Sequence, residues 1–64
     1  MDIGTNIRVE MAKRQMTTEG LAEKTGLAKS TISNYRNGKM TPSAENIYKV
    51  IRAIGCEADD IFKE

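Results

Sequence analysis

The chain has 64 residues, with ten Lys or Arg, nine Asp or Glu, no His and a single Cys. That length supports one domain over 1–64, in which folding hides only about 60% of the unfolded surface, so a partner subunit that adds buried area is expected. One thiol and no imidazole leave no internal disulfide, no zinc ligand set and no evident cofactor, and no apolar run approaches the about 20 residues that span a bilayer.

The net charge of +1 hides an uneven distribution. Residues 1–54 hold nine basic and five acidic side chains, net +4, whereas residues 55–64 hold Lys63 against Glu57, Asp59, Asp60 and Glu64, net −3. Between Gly26 and Ala44 stand Lys29, Arg36 and Lys39 with no acid. Such a stretch is either a landing place for a polyanion or a solvated face. The lone thiol suits a reducing compartment, so a cytoplasmic location is expected.

The first helix is expected over about 3–15, because Ile3, Ile7 and Met11 recur every four residues. Asp2 suits its amino end, and Lys13 and Arg14 suit the opposite pole of the helix dipole. Glu10 and Arg14 make an i,i+4 pair beside the apolar stripe. Val9 falls off that stripe without an evident role. Thr17 is the expected N-cap of a second helix over about 18–25, with Leu21 and Ala22 facing inward. Gly20 inside it is an exposed, tolerated flaw, or alternatively a point of close backbone approach.

Thr25-Gly26-Leu27 then reads as a tight turn, since Gly accepts a positive φ that a Cβ resists. A third helix follows over about 29–37. A wheel at about 100° per residue puts Ala28, Ile32 and Tyr35 on one side and Ser30, Ser33, Asn34 and Asn37 on the other. The outward side is thus made of short hydrogen-bonding groups, which are poor helix formers. Gly38 stops the helix and Pro42 redirects the chain. Ser43 caps a fourth helix over about 44–54, with Ile47, Val50, Ile51 and Ile54 on one face and Glu45, Lys49 and Arg52 on the other. Gly55 ends it, and a last helix over about 58–63 carries Ile61 and Phe62.

The expected fold is therefore all-α, five short helices with the second and third set as a helix-turn-helix. The expected core is Ile7, Met11, Met16, Leu21, Ala22, Leu27, Ile32, Tyr35, Ile47, Val50, Ile51, Ile54 and Phe62. Cys56 reads as a small buried hydrophobe and the methionines, apart from the initiator, as core filler.

The run LAEKTGLAKSTISNYRNGKMTPS, residues 21–43, resembles the phage Cro/C1-type repressor family, also called the XRE family. Leu21-Ala22, Gly26, Ile32, Asn37-Gly38, Pro42 and Ile54-Gly55 carry the resemblance, which extends over nearly the whole chain. It implies a lambda-repressor-like DNA-binding domain, a transcriptional repressor acting as a homodimer on a palindromic operator. Three positions depart from the family pattern. Thr18 stands where many members have a phosphate-binding Gln. Ala28 stands where a Ser or Thr caps the recognition helix. Met11 and Arg36 stand where an Arg and a Glu pair, which suggests a charge-exchanged pair between Glu10 and Arg36.

A major groove about 12 Å wide admits one α-helix that exposes donors and acceptors. Lys29, Ser30, Ser33 and Asn34 are the expected base contacts, because Asn matches adenine and Lys matches guanine. Thr18, Arg36, Asn37, Lys39 and Thr41 are the expected phosphate anchors, which fix register without reading sequence. Cys56, Ile61 and Phe62 are the expected dimer surface. Double-stranded DNA is the expected partner, with no membrane and no small-molecule ligand. An antitoxin, a plasmid or phage control factor, or a protein-interaction module on the same fold remain alternatives. Without His, a phosphate-cradling loop or a carboxylate cleft, no enzyme is expected.

Overall fold

A computed structural model describes residues 2–64, and all regular structure among them is helical. The elements are α1 (Ile3–Lys13), α2 (Thr18–Thr25), α3 (Lys29–Arg36), α4 (Ala44–Ile54) and α5 (Ala58–Phe62). Three of the five helices start on a side chain that accepts a first-turn N–H. Asp2 accepts from Thr5, Thr17 from Gly20 and Ser43 from Asn46, which satisfies donors that no helix can pair internally. At the opposite ends, α2 and α4 stop on Gly26 and Gly55, at φ 75° and 85°.

Helix α1 is shorter than expected. It stops at Lys13, Gln15 takes a left-handed φ of 54°, and the Met16 amide reaches back to Met11 O. That reversal delivers Met16 and Thr17 to the start of α2.

The core lies where α1 meets α3 and α5, and α2 meets α3 and α4. It consists of Ile7, Met11, Leu21, Ala22, Ile32, Tyr35, Ile47, Val50, Ile51, Ile54 and Ile61, with Met16 and Leu27 half-buried against it. Phe62 is a correction to the expected core. Its side chain is 37% exposed, and Ile61 at 0% fills the interior instead. A helix of five residues is too short for a periodic stripe to fix its phase. The same observation corrects the expected dimer surface, since a fully enclosed Ile61 presents no side chain to a partner.

Two side-chain hydrogen-bonding ties join the helices. Tyr35 packs in the core while its hydroxyl accepts from Asn46 Nδ2 at 2.9 Å, so α3 is tied to α4. Asn6 Nδ2 donates to the carbonyls of Ile61 and Lys63 at 2.7 and 3.0 Å, which fastens α1 to the end of α5.

Close backbone approach falls on Gly4 rather than Gly20. A Cβ on Gly4 would lie 2.6 Å from Tyr35 O and 3.0 Å from Arg36 O, whereas one on Gly20 would meet only the Thr17 hydroxyl at 3.2 Å. Helix α1 therefore rests directly on the last turn of α3.

The expected Glu10–Arg36 pair is also overturned. Glu10 is 2% exposed, and it accepts from Arg14 Nη1 at 2.9 Å and Lys13 Nζ at 3.1 Å. Its partners three and four residues along the chain reach it first. The Arg14 bond, then the Lys13 bond, hold its carboxyl below the ordinary value, outweighing its burial.

A depressed folded-state pKa gives stability that is present above the unfolded value and lost as pH falls through the folded one. Asp2 behaves the same way, lowered by the Thr5 amide. Thermal melts should thus fall as pH drops below about 4.3, the unperturbed Glu value. Glu10→Gln should make that fall shallower; an unchanged acid limb would show that Glu10 plays no part in it.

Candidate nucleic-acid interface

The turn before α3 has local causes. Gly26 takes the left-handed conformation and its N–H bonds Ala22 O at 2.9 Å. The Thr25 hydroxyl donates to Leu21 O at 2.8 Å and accepts from Leu27 N at 3.2 Å. These bonds shape the turn between α2 and α3, and α3 itself begins at Ala28 with no side-chain cap. Ile32 and Tyr35 then anchor α3 from beneath, at 0% and 4% exposure.

The sequence-selected residues differ in exposure. Lys29, Ser30, Asn37, Lys39 and Thr41 are exposed, while Ser33, Asn34, Thr18 and Arg36 are half-buried. Asn37 Nδ2 lies 3.4 Å from Ser33 Oγ, one turn back along the helix. Asn34 is more enclosed than a wheel suggests. Its backbone carbonyl accepts from Lys39 N and Met40 N at 2.9 and 3.3 Å, and its amide meets Met40 Sδ at 3.4 Å. Met40 is itself 48% exposed, so it belongs to this surface and not to the core filler.

The charged side chains of α3 and the loop after it, Lys29, Arg36 and Lys39, are all positive. Glu19 of α2 lies 3.2 Å from Lys29 Nζ, with both side chains largely in solvent. Such a pair is weak and exchangeable. Arg36 Nη1 donates to Thr18 Oγ1, joining the end of α3 to the start of α2.

The carboxyl end is a separate surface. Cys56 is half-buried, and burial together with the Glu10 charge raises its thiol above the ordinary value. Glu10, Cys56 and Asp60 place donor atoms within 4.8 Å of one another. Their oxygens are already engaged, Glu10 by Arg14 and Lys13, and Asp60 by the Glu57 amide at 2.9 Å. Phe62 is the exposed apolar side chain there.

Sequence reasoning passed over Gly4, Asn6, Asn46 and Met40. Asn6 and Asn46 lie in the early turns of α1 and α4, and an Asn inside a helix, a poor helix former, is a usable sign of a tie to a neighbour. Gly4, inside the expected first helix, carries the sign that Gly20 does, and Met40 carries none.

A short helix crossing another over a left-handed glycine, seated by buried apolar residues and polar on its outer side, defines a helix-turn-helix DNA-binding domain. The comparison with known families agrees. The chain belongs to the Cro/C1-type HTH DNA-binding domain family, whose model matches residues 6–63. A relative from Archaeoglobus fulgidus, named as an HTH-type transcriptional regulator, is 40% identical over 58 residues, covering 91% of this chain and 83% of its own. One from Methanocaldococcus jannaschii with the same description is 35% identical over 51 residues, covering 80% and 77%. Among solved structures, the restriction-modification controller protein C.AhdI from Aeromonas hydrophila matches with a TM-score of 0.90 at 26% identity, over 95% of this chain and 92% of that one. The chain is thus a sequence-specific DNA-binding domain of the transcriptional-regulator kind. None of its described helices is long and apolar enough to cross a membrane.

Proposed function

We propose that this single domain is a transcriptional repressor that binds a palindromic operator as a homodimer, in the cytoplasm. The observation that carries this reading is the outer side of α3, polar and nearly free of acid, directly over a fully buried Ile32. Lys29, Ser30, Ser33 and Asn34 are the base-reading residues. Thr18, Arg36, Asn37, Lys39 and Thr41 hold the phosphates. Two copies place two recognition helices about 34 Å apart, one helical turn. Phe62 is the apolar side chain left to join them at the carboxyl end, with half-buried Cys56 just before α5.

Selection of bound duplexes from a random pool tests this reading directly. A symmetrical consensus is expected, and recovery of no preferred sequence would overturn it. Two substitutions then separate reading from anchoring. Asn34→Ala should weaken the selected site by about 1–3 kcal/mol and relax preference at one base pair. Lys39→Ala should weaken all duplexes alike and reduce the salt slope by about one. Neither should shift the melting temperature much, because neither side chain is in the core.

The likeness to a restriction-modification controller protein favours a second, narrower reading, in which the regulated genes encode such a system. The genes adjoining the selected operator decide between the two.

A further inference from the structure

A groove of about 490 Å³ runs between α2 and α4, lined by Lys24, Thr25, Lys49, Arg52 and Ala53. Three cations and no acid line it, and none of the DNA-contact residues does. Lys24 and Arg52 are exposed, and among the described residues neither has an ion-pair partner. Lys49 has a loose one, Glu45 at 3.7 Å, whose side chain is 80% exposed; such a pair exchanges readily. Thr25 spends its hydroxyl on Leu21 O and Leu27 N. Half-buried Ala53 adds a methyl group. The groove thus sets positive charge beside a small apolar surface.

The complementary surface belongs to the same chain. Residues 55–64 carry a net charge of −3. On α5, Asp60 places its carboxylate near Glu10 and Cys56 and accepts from the Glu57 amide, while Ile61 is enclosed. Asp59 and Phe62 are left outside, both exposed, three residues apart and so on one side of the helix. Among the described residues Asp59 has no ion-pair partner. That side joins a carboxylate to an aromatic ring, as the groove joins cations to a methyl group. Helix α5 cannot fill its own groove, because Ile61 sits in the core and Asn6 holds the carbonyls of Ile61 and Lys63 against α1. A second copy is under no such restraint.

We propose that α5 of one copy docks in the α2–α4 groove of a second, with Asp59 against Arg52 and Lys24 and Phe62 along Ala53, and that a two-fold axis repeats the contact in reverse. The proposal rests on the homodimer reading above and names the surface that receives Phe62. In such an isologous pair each copy lends one helix and one groove. Repetition matters because the five residues of α5 span only about 7.5 Å. One contact of that length is well short of the about 800 Å² per partner in a standard stable interface. The free dimer is accordingly weak, and its ion pairs lie at the rim, where salt screens them.

The test is sedimentation equilibrium of the full chain at up to about 1 mM protein. It is run at about 0.1 M and 1 M salt, between which the screening length falls from about 10 to 3 Å. The parent should dimerise at low salt and dissociate at high salt. Arg52→Glu and Asp59→Lys should each weaken the low-salt dimer about tenfold or more, since each acts at two contacts and sets like charges together. An equimolar mixture of these two variants should regain the parent dimer. In the mixed pair the two new charges meet at one contact and the two native partners meet at the other. A misfolded chain could not give that recovery. Asp59→Asn removes the charge without placing a cation in the first turn of α5, and it should weaken the dimer too. No recovery in the mixture, or a mass that grows past two chains, would overturn the proposal. Variants that all dimerise like the parent would end it and leave the homodimer reading standing. A parent that stays a single chain at both salts would end both. If Arg52→Glu instead weakens binding to a mixed-sequence duplex and leaves dimerisation alone, the groove takes nucleic acid and the proposal falls.

Discussion

Ile32→Ala should lower the folding free energy by about 2–5 kcal/mol, the cost of a cavity where a large aliphatic side chain was fully enclosed. Ile32 is 0% exposed and sits beneath the recognition surface. At about 0.05–0.15 kcal/mol per residue, a domain of this size has roughly 3–10 kcal/mol in total. The substitution therefore removes a large share of it. Each kcal/mol should lower Tm by about 4–8 °C in a domain this small. The loss of DNA binding that accompanies it has a distinct signature. Excess duplex binds the folded form and should pull the variant back towards it. No such rescue applies to Asn34→Ala, where the fold is intact and the contact is gone. A parental melt in Ile32→Ala would mean that α3 is not seated through this residue.

Gly4→Ala is the second large effect, and its sign is the informative part. On an open helix face Ala is favoured over Gly by about 1 kcal/mol. Here the new methyl would stand 2.6 Å from one backbone carbonyl oxygen and 3.0 Å from another. Neither oxygen can rotate away as a side chain does, so α1 must lift from α3. We expect a net loss of about 1–3 kcal/mol, the cost of overpacking. Gly20→Ala is the matched control, because only the Thr17 hydroxyl is near, at 3.2 Å. Its melt should lie above that of Gly4→Ala. The reverse order would remove the close contact between α1 and the end of α3.

The contrast between these glycines marks what a sequence discloses. Gly26 and Gly55 are legible because a helix ends at each, and ending a helix is local chemistry. The same holds for Asp2, Thr17 and Ser43, whose caps set three helix starts within a residue. The inward side of α4 is legible because eleven residues give three turns of pattern. The five residues of α5 do not, and Ile61 and Phe62 were exchanged as a result. That Gly4 and not Gly20 meets a neighbour is illegible, because the carbonyls it meets come from another helix, at an angle that no local rule sets. The partner of Arg36 was missed for the same reason. A charge-exchanged pair with Glu10 is sound as electrostatics, but Arg14 lies one turn from Glu10 and reaches it first. Residues for the nucleic-acid surface could be gathered from the pattern of α3; their engagement with Glu19, Met40 and one another depends on the folded chain.

The Asn6 fastening has a mechanical consequence. It links α5 to α1, and Gly4 presses α1 onto α3, so force applied at the last helix reaches the reading helix through stiff contacts. Two copies joined at the Phe62 edge would behave like calipers with a locked screw. One base pair inserted between half-sites turns the second groove by about 36° about the duplex axis, and a frame without a soft joint has no means to follow. Tolerance for operator spacing would then have to come from the DNA.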